Sequence, residues 1–442
     1  MFQTIRNAWK IDDLRRKIIF VLFILLLYRV GSQIPVPFVI PDLQASMNSM
    51  EGSILQYLNI LSGGAFARAT LFALGISPYI TSSIVIQLLS VAIPALEKLS
   101  KEGEEGKKKL NQITRFVTVA LALITAIGYY KMLEYGYQGT SYLTKDGQTI
   151  FGAIVIVACY CAGSSLVMWL SEKINENGIG NGISMILFAN IVSSGPSIVN
   201  ALWALIKGQY SADMHHAVQI IIAVASVIIG IGMVLLIVFI TNSERRLQVQ
   251  YAKKVVGRKM YGGQSSTLPI KVNNTGVMPI IFASSIVSLP ATIQVLLANA
   301  GVKFNKFWTG FFNLFGTDSW LYAVLTLVLI IAFAYFYILI SFNPVEISNN
   351  LKKNGGSIPG IRPGKPTSDY ITRVLNRVTL IGAIFLGFIA VFPMVLNIVS
   401  GGVMAGLAFG GSSIIIVVGV VIETAREIEG QMTMRHYRGF LE

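Results

Sequence analysis

Long apolar runs separated by short polar stretches dominate the chain. Ten of these runs, near residues 18–37, 76–94, 116–135, 151–171, 183–203, 217–240, 277–298, 319–341, 378–397 and 403–423, are long enough to cross a bilayer. A hydrocarbon core of about 30 Å takes roughly 20 helical residues at about 1.5 Å each. The pattern predicts an all-α integral membrane protein of ten transmembrane helices. With 54% hydrophobic and 13% charged residues, nothing in the 442-residue chain is left over for a separate soluble domain.

The formal net charge of +14 suits nucleic acid or anionic lipid, so the placement of the cations has to decide. With residues 1–17 placed inside, 28 of the 35 Lys and Arg fall in the segments on that side. The exceptions are Arg29, Arg68, Lys131, Lys145, Lys207, Lys303 and Lys306. The positive-inside rule then puts both termini in the cytoplasm, as an even number of spans requires. Arg15, Arg16 and Lys17 before the first apolar run resemble the start of a signal peptide. That run ends at Tyr28-Arg29 without a small-x-small cleavage site, which reads as an uncleaved first span.

Two inner loops, 242–276 and 343–377, are too long to be simple turns, and loops of that length usually carry function. The first holds Arg245, Arg246, Lys253, Lys254, Arg258 and Lys259; the second holds Lys352, Lys353, Arg362 and Lys365 among Gly and Pro. On the residues alone they are either topology determinants lying against lipid headgroups or a docking surface for an anionic partner. The stretch before the second span contains a glycine-bounded helical segment, within residues 63–75, that is too short to cross. It reads as re-entrant or as an interfacial helix. Five spans in residues 1–212 and five in 213–442 permit two halves of inverted topology, although no sequence repeat demands it.

Apart from Arg29, the cores of the spans hold no ionisable side chain. Ion-coupled carriers normally place such groups at the midplane, so an inverted-repeat secondary solute transporter is the weaker alternative. An insertase without a through-pore would need a hydrophilic groove, for which no charged residues are available. Intramembrane proteolysis lacks its paired acids or intramembrane His, since His215, His216 and His436 lie in loops or the tail. No phosphate-binding G-x-x-x-x-G-K-[ST] motif occurs, so no enzyme activity and no cofactor is expected. Cys159 and Cys161 sit two apart in one span and do not share a helix face, which makes packing their expected role. Gly402, Gly406 and Gly410 have the small-xxx-small spacing of closely packed helices. Singly, Ile76, Ile80, Ile183, Ile281 and Ile416 look like ordinary apolar residues; a ring of them would form a dewetting constriction that shuts out ions without charge.

Four segments carry a family resemblance: S-G-G-A-F-A-R-A-T-L-F-A-L-G-I-S-P-Y-I at 62–80, G-I-G-N-G-I-S at 178–184, L-P-I-K-V-N-N-T-G-V-M-P-I-I-F-A-S-S-I at 268–286 and I-P-G-I-R-P-G at 358–364. Together with the ten-span layout they resemble the SecY family, the large subunits of the bacterial protein-conducting channel. The resemblance implies two five-span halves around an hourglass pore. Motif by motif, its aliphatic waist falls on Ile76, Ile80, Ile183, Leu187, Ile281 and Ile416, with Leu187 replacing a commoner isoleucine. The segment with Gly63, Gly64, Phe66, Arg68, Leu71 and Leu74 matches the family's plug helix. Gln87 and Ser285 fall on opposite sides of a lateral gate through which signal sequences and membrane spans reach lipid; either residue is equally well a packing residue. The two basic loops correspond to the surfaces on which the ribosome and the SecA motor ATPase dock, and Arg362 matches the family's key loop arginine. The resemblance also implies the small subunits SecE and usually SecG, and substrates that are signal sequences and nascent chains.

Overall fold

The computed structural model describes residues 6, 8–40, 59–135, 141–208, 215–251, 254–256, 259–261, 265–273, 275–299, 305–316, 319–399 and 410–438. The first half contains α1 (Asp12–Gly31), α2 (Ser77–Ala92), α3 (Pro94–Lys101), α4 (Glu104–Tyr135), α5 (Ile150–Asn177), α6 (Gly182–Ser193) and α7 (Gly195–Ile206). The second contains α8 (His216–Asn242), the strands β1 (Glu244–Tyr251), β2 (Lys254–Val256), β3 (Lys259–Tyr261) and β4 (Ser265–Lys271), then α9 (Met278–Asn299), α10 (Lys306–Leu314), α11 (Trp320–Ser341), α12 (Pro344–Lys353), β5 (Gly356–Ser357), α13 (Lys365–Val399) and α14 (Gly410–Arg438).

Every expected crossing is occupied by helix. Among the described residues, α4, α5, the α6–α7 tract, α8, α11 and α13 are long and apolar enough to span a membrane. Within the runs at 18–37, 76–94, 277–298 and 403–423, α1 covers 18–31, α2 77–92, α9 278–298 and α14 the described residues 410–423. The chain is therefore a multi-pass membrane protein. Hydropathy misplaces several helix ends, because a helix continues past the hydrocarbon wherever water or headgroups receive its charges. Thus α4 starts at Glu104 and carries Lys107, Lys108 and Lys109 before its apolar stretch, and α13 starts at Lys365. Prolines set the breaks. Between α2 and α3 the axis bends by 102°, with Ile93 extended ahead of Pro94. Pro196 in the first turn of α7 breaks the fifth crossing at Ser194, a break that apolar length alone did not show.

Both halves feed one apolar core. Ile24, Ile84, Ile174 and Ile186 from the first half pack with Ile237, Ile280, Ile330, Leu386 and Val420 from the second. Outward faces are equally apolar: on α8, Ile221, Ile228, Leu235 and Phe239 are exposed, as expected of a helix whose solvent is lipid.

The two long basic loops form one body. β1 pairs antiparallel with β4, from Glu244↔Lys271 to Gln250↔Ser265, while Gln250 and Tyr251 on the same strand pair with Ser357 and Gly356 of β5. The sheet order β4-β1-β5 thus joins a strand from one loop to the hairpin of the other. Leu247 and Ile270 bury their side chains against Ile338, Ile358, Ile371 and Leu375, so the sheet sits on the ends of α11 and α13.

Candidate functional site

The short helix expected between Gly63 and Leu74 does not form. Residues 59–61 are helical, and 62–76 run on as successive turns, with an isolated bridge from Thr70 to Pro35. Gly63 (φ +65°), Gly64 (φ +85°), Ala69 (φ +48°) and Gly75 (φ +56°) occupy the left-handed region, which a right-handed helix cannot include. Hydropathy and length say nothing about φ, so this shape was not legible beforehand.

What holds the segment is a set of donors aimed at its backbone carbonyls. Asn190 Nδ2 donates to Leu61 O at 2.6 Å, and Arg29 Nη1 and Ser193 Oγ donate to Gly63 O at 3.3 and 3.4 Å. The Tyr129 hydroxyl donates to Phe66 O at 2.6 Å and the Tyr160 hydroxyl to Ala69 O at 3.3 Å. These donors come from α1, α4, α5 and α6. A turn buried in a membrane protein has carbonyls with no water to accept from, and side chains of the surrounding spans satisfy them here. Aromatic contacts reinforce the placement: Phe66 lies 4.7 Å from Tyr129 and Phe72 stacks on Tyr28 at 5.5 Å. Two glycines permit the close approach. A Cβ at Gly163 would stand 1.9 Å from Leu71 O, and one at Gly31 would stand 2.1 Å from the Phe72 ring. Of the six residues singled out from sequence, Phe66 is buried, Gly63, Gly64, Leu71 and Leu74 are half-buried, and exposed Arg68 donates to Gln33.

Next to this segment lie the six aliphatic candidates. Ile76, Ile80, Leu187, Ile281 and Ile416 are buried in the same cluster, and half-buried Ile183 packs against it. Ile76 stands at the end of the turn segment as the N-cap of α2, and the others come from α2, α6, α9 and α14, two elements from each half. Phe72 belongs to the same cluster, so the turn segment rests directly on it. The buried acid Glu172 is paired with Arg115 between α5 and α4 through two contacts, at 2.7 and 2.9 Å, and so is compensated. Among the described residues no group of His, Cys, Asp and Glu is arranged to hold a metal.

Helix α9 packs against α2 and α4. A cavity of about 130 Å³ remains at this seam, between Ser285, Ser288 and Thr292 of α9, Pro78 and Thr81 of α2, and Leu121 and Thr125 of α4, and it is roofed by Phe66 and Leu74. Gln87 and Ser285 do not meet by hydrogen bond. Gln87 donates to Ser83 within its own helix, at 3.2 Å, whereas Ser285 lines the cavity.

On the sheet platform, Arg245 and Arg246 are exposed on β1, where Leu247 and Val249 are buried. Lys352 and Lys353 are exposed at the end of α12, Arg362 in the turn before α13, and Lys365 at the start of α13. Gly360 (φ +80°) and Gly364 (φ +102°) bracket Arg362, and Ser348 Oγ and Thr367 Oγ1 donate to Gly364 O and Arg362 O at 2.7 and 2.8 Å. The turn is pinned from both sides and projects its guanidinium. Lys254 and Lys259 lie on the β2–β3 hairpin, and Lys253 and Arg258 lie outside the described residues. At the base of the ribbon Arg426 Nη2 donates to Thr241 O at 2.6 Å and to Asn242 Oδ1 at 2.9 Å, tying α14 to the end of α8. Nearby, burial and then the Arg426 guanidinium pull the Lys271 amine below its ordinary range.

Sequence reading missed Tyr129, Tyr160, Asn190 and Ser193. The signal was present in part: a hydroxyl or amide in a lipid-embedded helix needs a partner, which Tyr129, Tyr160 and Asn190 find on the turn segment, whereas Ser193 also donates to Asn190 O within its own helix at 2.8 Å.

Comparison with known proteins agrees with this architecture. A family model named SecY matches residues 70–425. Protein translocase subunits SecY from Streptomyces galbus and Mycobacterium tuberculosis are each 43% identical to the chain, over 449 and 454 residues, with 100% of both sequences covered. Among solved structures, a protein-conducting channel superposes with a TM-score of 0.64 at 17% identity, covering 94% of this chain and 92% of that one. A SecY channel whose plug domain is described as stabilising the closed state gives 0.66 at 18%, with the same coverage. Sec61 in the canine ribosome-channel complex gives 0.60 at 17%, again covering 94% and 92%. At these identities the structural likeness is one of fold.

Proposed function

The chain belongs to the SecY family, and we propose from its geometry how it works as the central subunit of a protein-conducting channel, passing unfolded secretory polypeptides across the membrane and releasing membrane spans sideways into lipid. The observation that carries the reading is the convergence of Ile76, at the N-cap of α2, with Ile80, Leu187, Ile281 and Ile416, from four helices in two halves, against a backbone-tethered turn segment. A narrow aliphatic throat excludes water and hence ions without binding anything, while a sliding chain meets no fixed charge. Residues 1–212 and 213–442 act as the two halves. Ile183 completes the ring, the segment 63–75 is the plug, and the seam of α9 with α2 and α4 is the lateral gate with Gln87 and Ser285 on its two sides.

The driving force comes from outside the chain. The platform's exposed Arg245, Arg246, Lys352, Lys353, Arg362 and Lys365 form the docking surface for the SecA motor and for ribosomal RNA phosphates, to which Lys and Arg bind strongly and in a salt-dependent way. The canine neighbour is described in a ribosome-channel complex, in keeping with that surface. SecE and SecG complete the assembly, which lies in the bacterial cytoplasmic membrane with both termini inside.

The test is reconstitution of the chain with SecE in liposomes, followed by protease protection of a signal-bearing precursor after addition of SecA and ATP. Protected precursor is expected, and Arg362→Glu should abolish it while insertion and folding persist. A wild-type chain that leaves the precursor fully digested, or that accumulates small solutes along an ion gradient, sinks the reading.

A further inference from the structure

Helix α10 (Lys306–Leu314) is used by neither pore, plug, gate nor platform. It connects α9 to α11, so in a ten-span chain it lies on the face away from the termini. Phe312 is buried, whereas Phe307 is 76%, Trp308 51% and Leu314 47% exposed, with Phe311 also exposed. Positions 307, 311 and 314 follow helical i, i+4, i+7 spacing with Trp308 beside them, so the exposed groups form one stripe. The rings brace one another: Trp308 lies 6.0 Å from both Phe311 and Phe312, and Phe311 lies 5.1 Å from Phe315. Such a stripe is too apolar for a water-facing loop and too short for a crossing. The exposed apolar surface does not stop at the helix. Ile293 on α9, the helix against which α10 packs, is exposed as well, and so are Trp320 and Leu321 at the start of α11, the next helix along the chain. Those belong to the lipid-facing belt of two spans. Lys306 is exposed at the other edge of α10, where a phosphate would sit.

We infer that α10 is a membrane-interface anchor, lying flat in the leaflet away from the termini, with Phe307, Trp308, Phe311 and Leu314 sunk among the upper acyl segments and Lys306 at the phospholipid phosphates. Aromatic side chains favour this depth because an apolar ring and a polar edge are satisfied together. On the gate reading proposed above, the anchor fixes the depth of the adjoining end of α9, so that this helix moves along the membrane plane and not through it.

The full chain with Trp308 as its only tryptophan (Trp9, Trp169, Trp203 and Trp320 changed to Phe) is reconstituted in phosphatidylethanolamine–phosphatidylglycerol vesicles carrying bromine at shallow or deep acyl positions. Shallow bromolipid should quench Trp308 more than deep bromolipid or aqueous iodide does, placing it about 5–10 Å below the headgroup boundary. Quenching by iodide alone means a water-facing helix, and quenching by neither means a helix covered by protein; each overturns the inference. As a control on folding, Phe307→Cys labelled with an environment-sensitive dye in the chain with all five tryptophans, and with Cys159 and Cys161 changed to Ser, should show blue-shifted emission, and a water-like spectrum there overturns it as well. Neither readout depends on translocation, so loss of the anchor and loss of the channel reading are separable.

Discussion

The segment proposed as the plug and the aliphatic cluster it rests on are held by different means. The proposed plug is fixed by Asn190, Arg29, Ser193, Tyr129 and Tyr160 donating to main-chain carbonyls, on top of the packing of its own Phe66 and Phe72. The cluster has only side-chain shape and hydrophobicity. A hydrogen bond lost to water on displacement is largely replaced, leaving a net cost of about 1 kcal/mol each, whereas packed aliphatic groups have no partner in water. A tethered plug is thus suited to leave and return, and an aliphatic ring to close on whatever passes.

The harshest way to break the comparison is to put a polar group into the layer that has none. Ile281→Asn buries an amide among aliphatic neighbours, at about 2–7 kcal/mol if it stays dry. The closed throat should hydrate instead. Ion conductance of reconstituted channels should rise well above wild type, and precursors with defective signals should pass. Unchanged leak and unchanged signal selectivity would remove Ile281 from the constriction.

Next in size is a steric wedge against the plug. In Gly163→Ala the new methyl would meet the Leu71 carbonyl, a backbone atom that cannot swing away as a side-chain tip can. We expect about 3 kcal/mol against the closed arrangement, the upper end for overpacking. An Ala67→Cys reporter, buried in the closed plug, in a chain with Cys159 and Cys161 changed to Ser, should then react faster with a membrane-impermeant thiol reagent. An unaltered rate would show that the plug does not bear on α5.

These two positions also show how far sequence reading reached. That Ile281 joins a buried aliphatic cluster was legible, because ten apolar runs fix a membrane bundle and a family motif marks the position. Gly163 was not, since its role depends on a carbonyl that arrives from a turn ninety-odd residues earlier. The same applies to the plug's shape: glycine boundaries suggested a short helix, while left-handed φ at Gly63, Gly64 and Ala69 is a tertiary outcome. The basic loops were legible as basic and long. That Gln250 and Tyr251 pair with Ser357 and Gly356, making one platform of them, requires strand pairing across more than a hundred residues, which no local pattern encodes.

Removing one tether is a gentler probe. Tyr129→Phe keeps the ring that meets Phe66 and deletes only the hydroxyl that donates to its carbonyl at 2.6 Å. A buried carbonyl left without a donor costs about 1–3 kcal/mol, so the ratio of closed to open plug should fall roughly five- to 150-fold. The Ala67→Cys labelling rate reads this directly, and Phe66→Leu in the tyrosine-containing chain should move it less. A larger effect from Phe66→Leu would mean that side-chain packing, not the carbonyl tether, sets the plug.

The smallest effect sharpens the comparison from the other side. Leu187→Ile restores the commoner family residue at a fully buried position and conserves volume and hydrophobicity. Such exchanges cost less than about 1.5 kcal/mol, and because the ring works through dewetting and not through a specific contact, conductance and signal selectivity should both stay at wild type. Leu187→Ser, nearly as small a change in sequence, removes the aliphatic wall and introduces a hydroxyl, and should raise the leak. If Leu187→Ile leaked as much as Leu187→Ser, the constriction would depend on the particular shape of leucine, and the contrast between a shape-tolerant ring and a bond-held plug would fail.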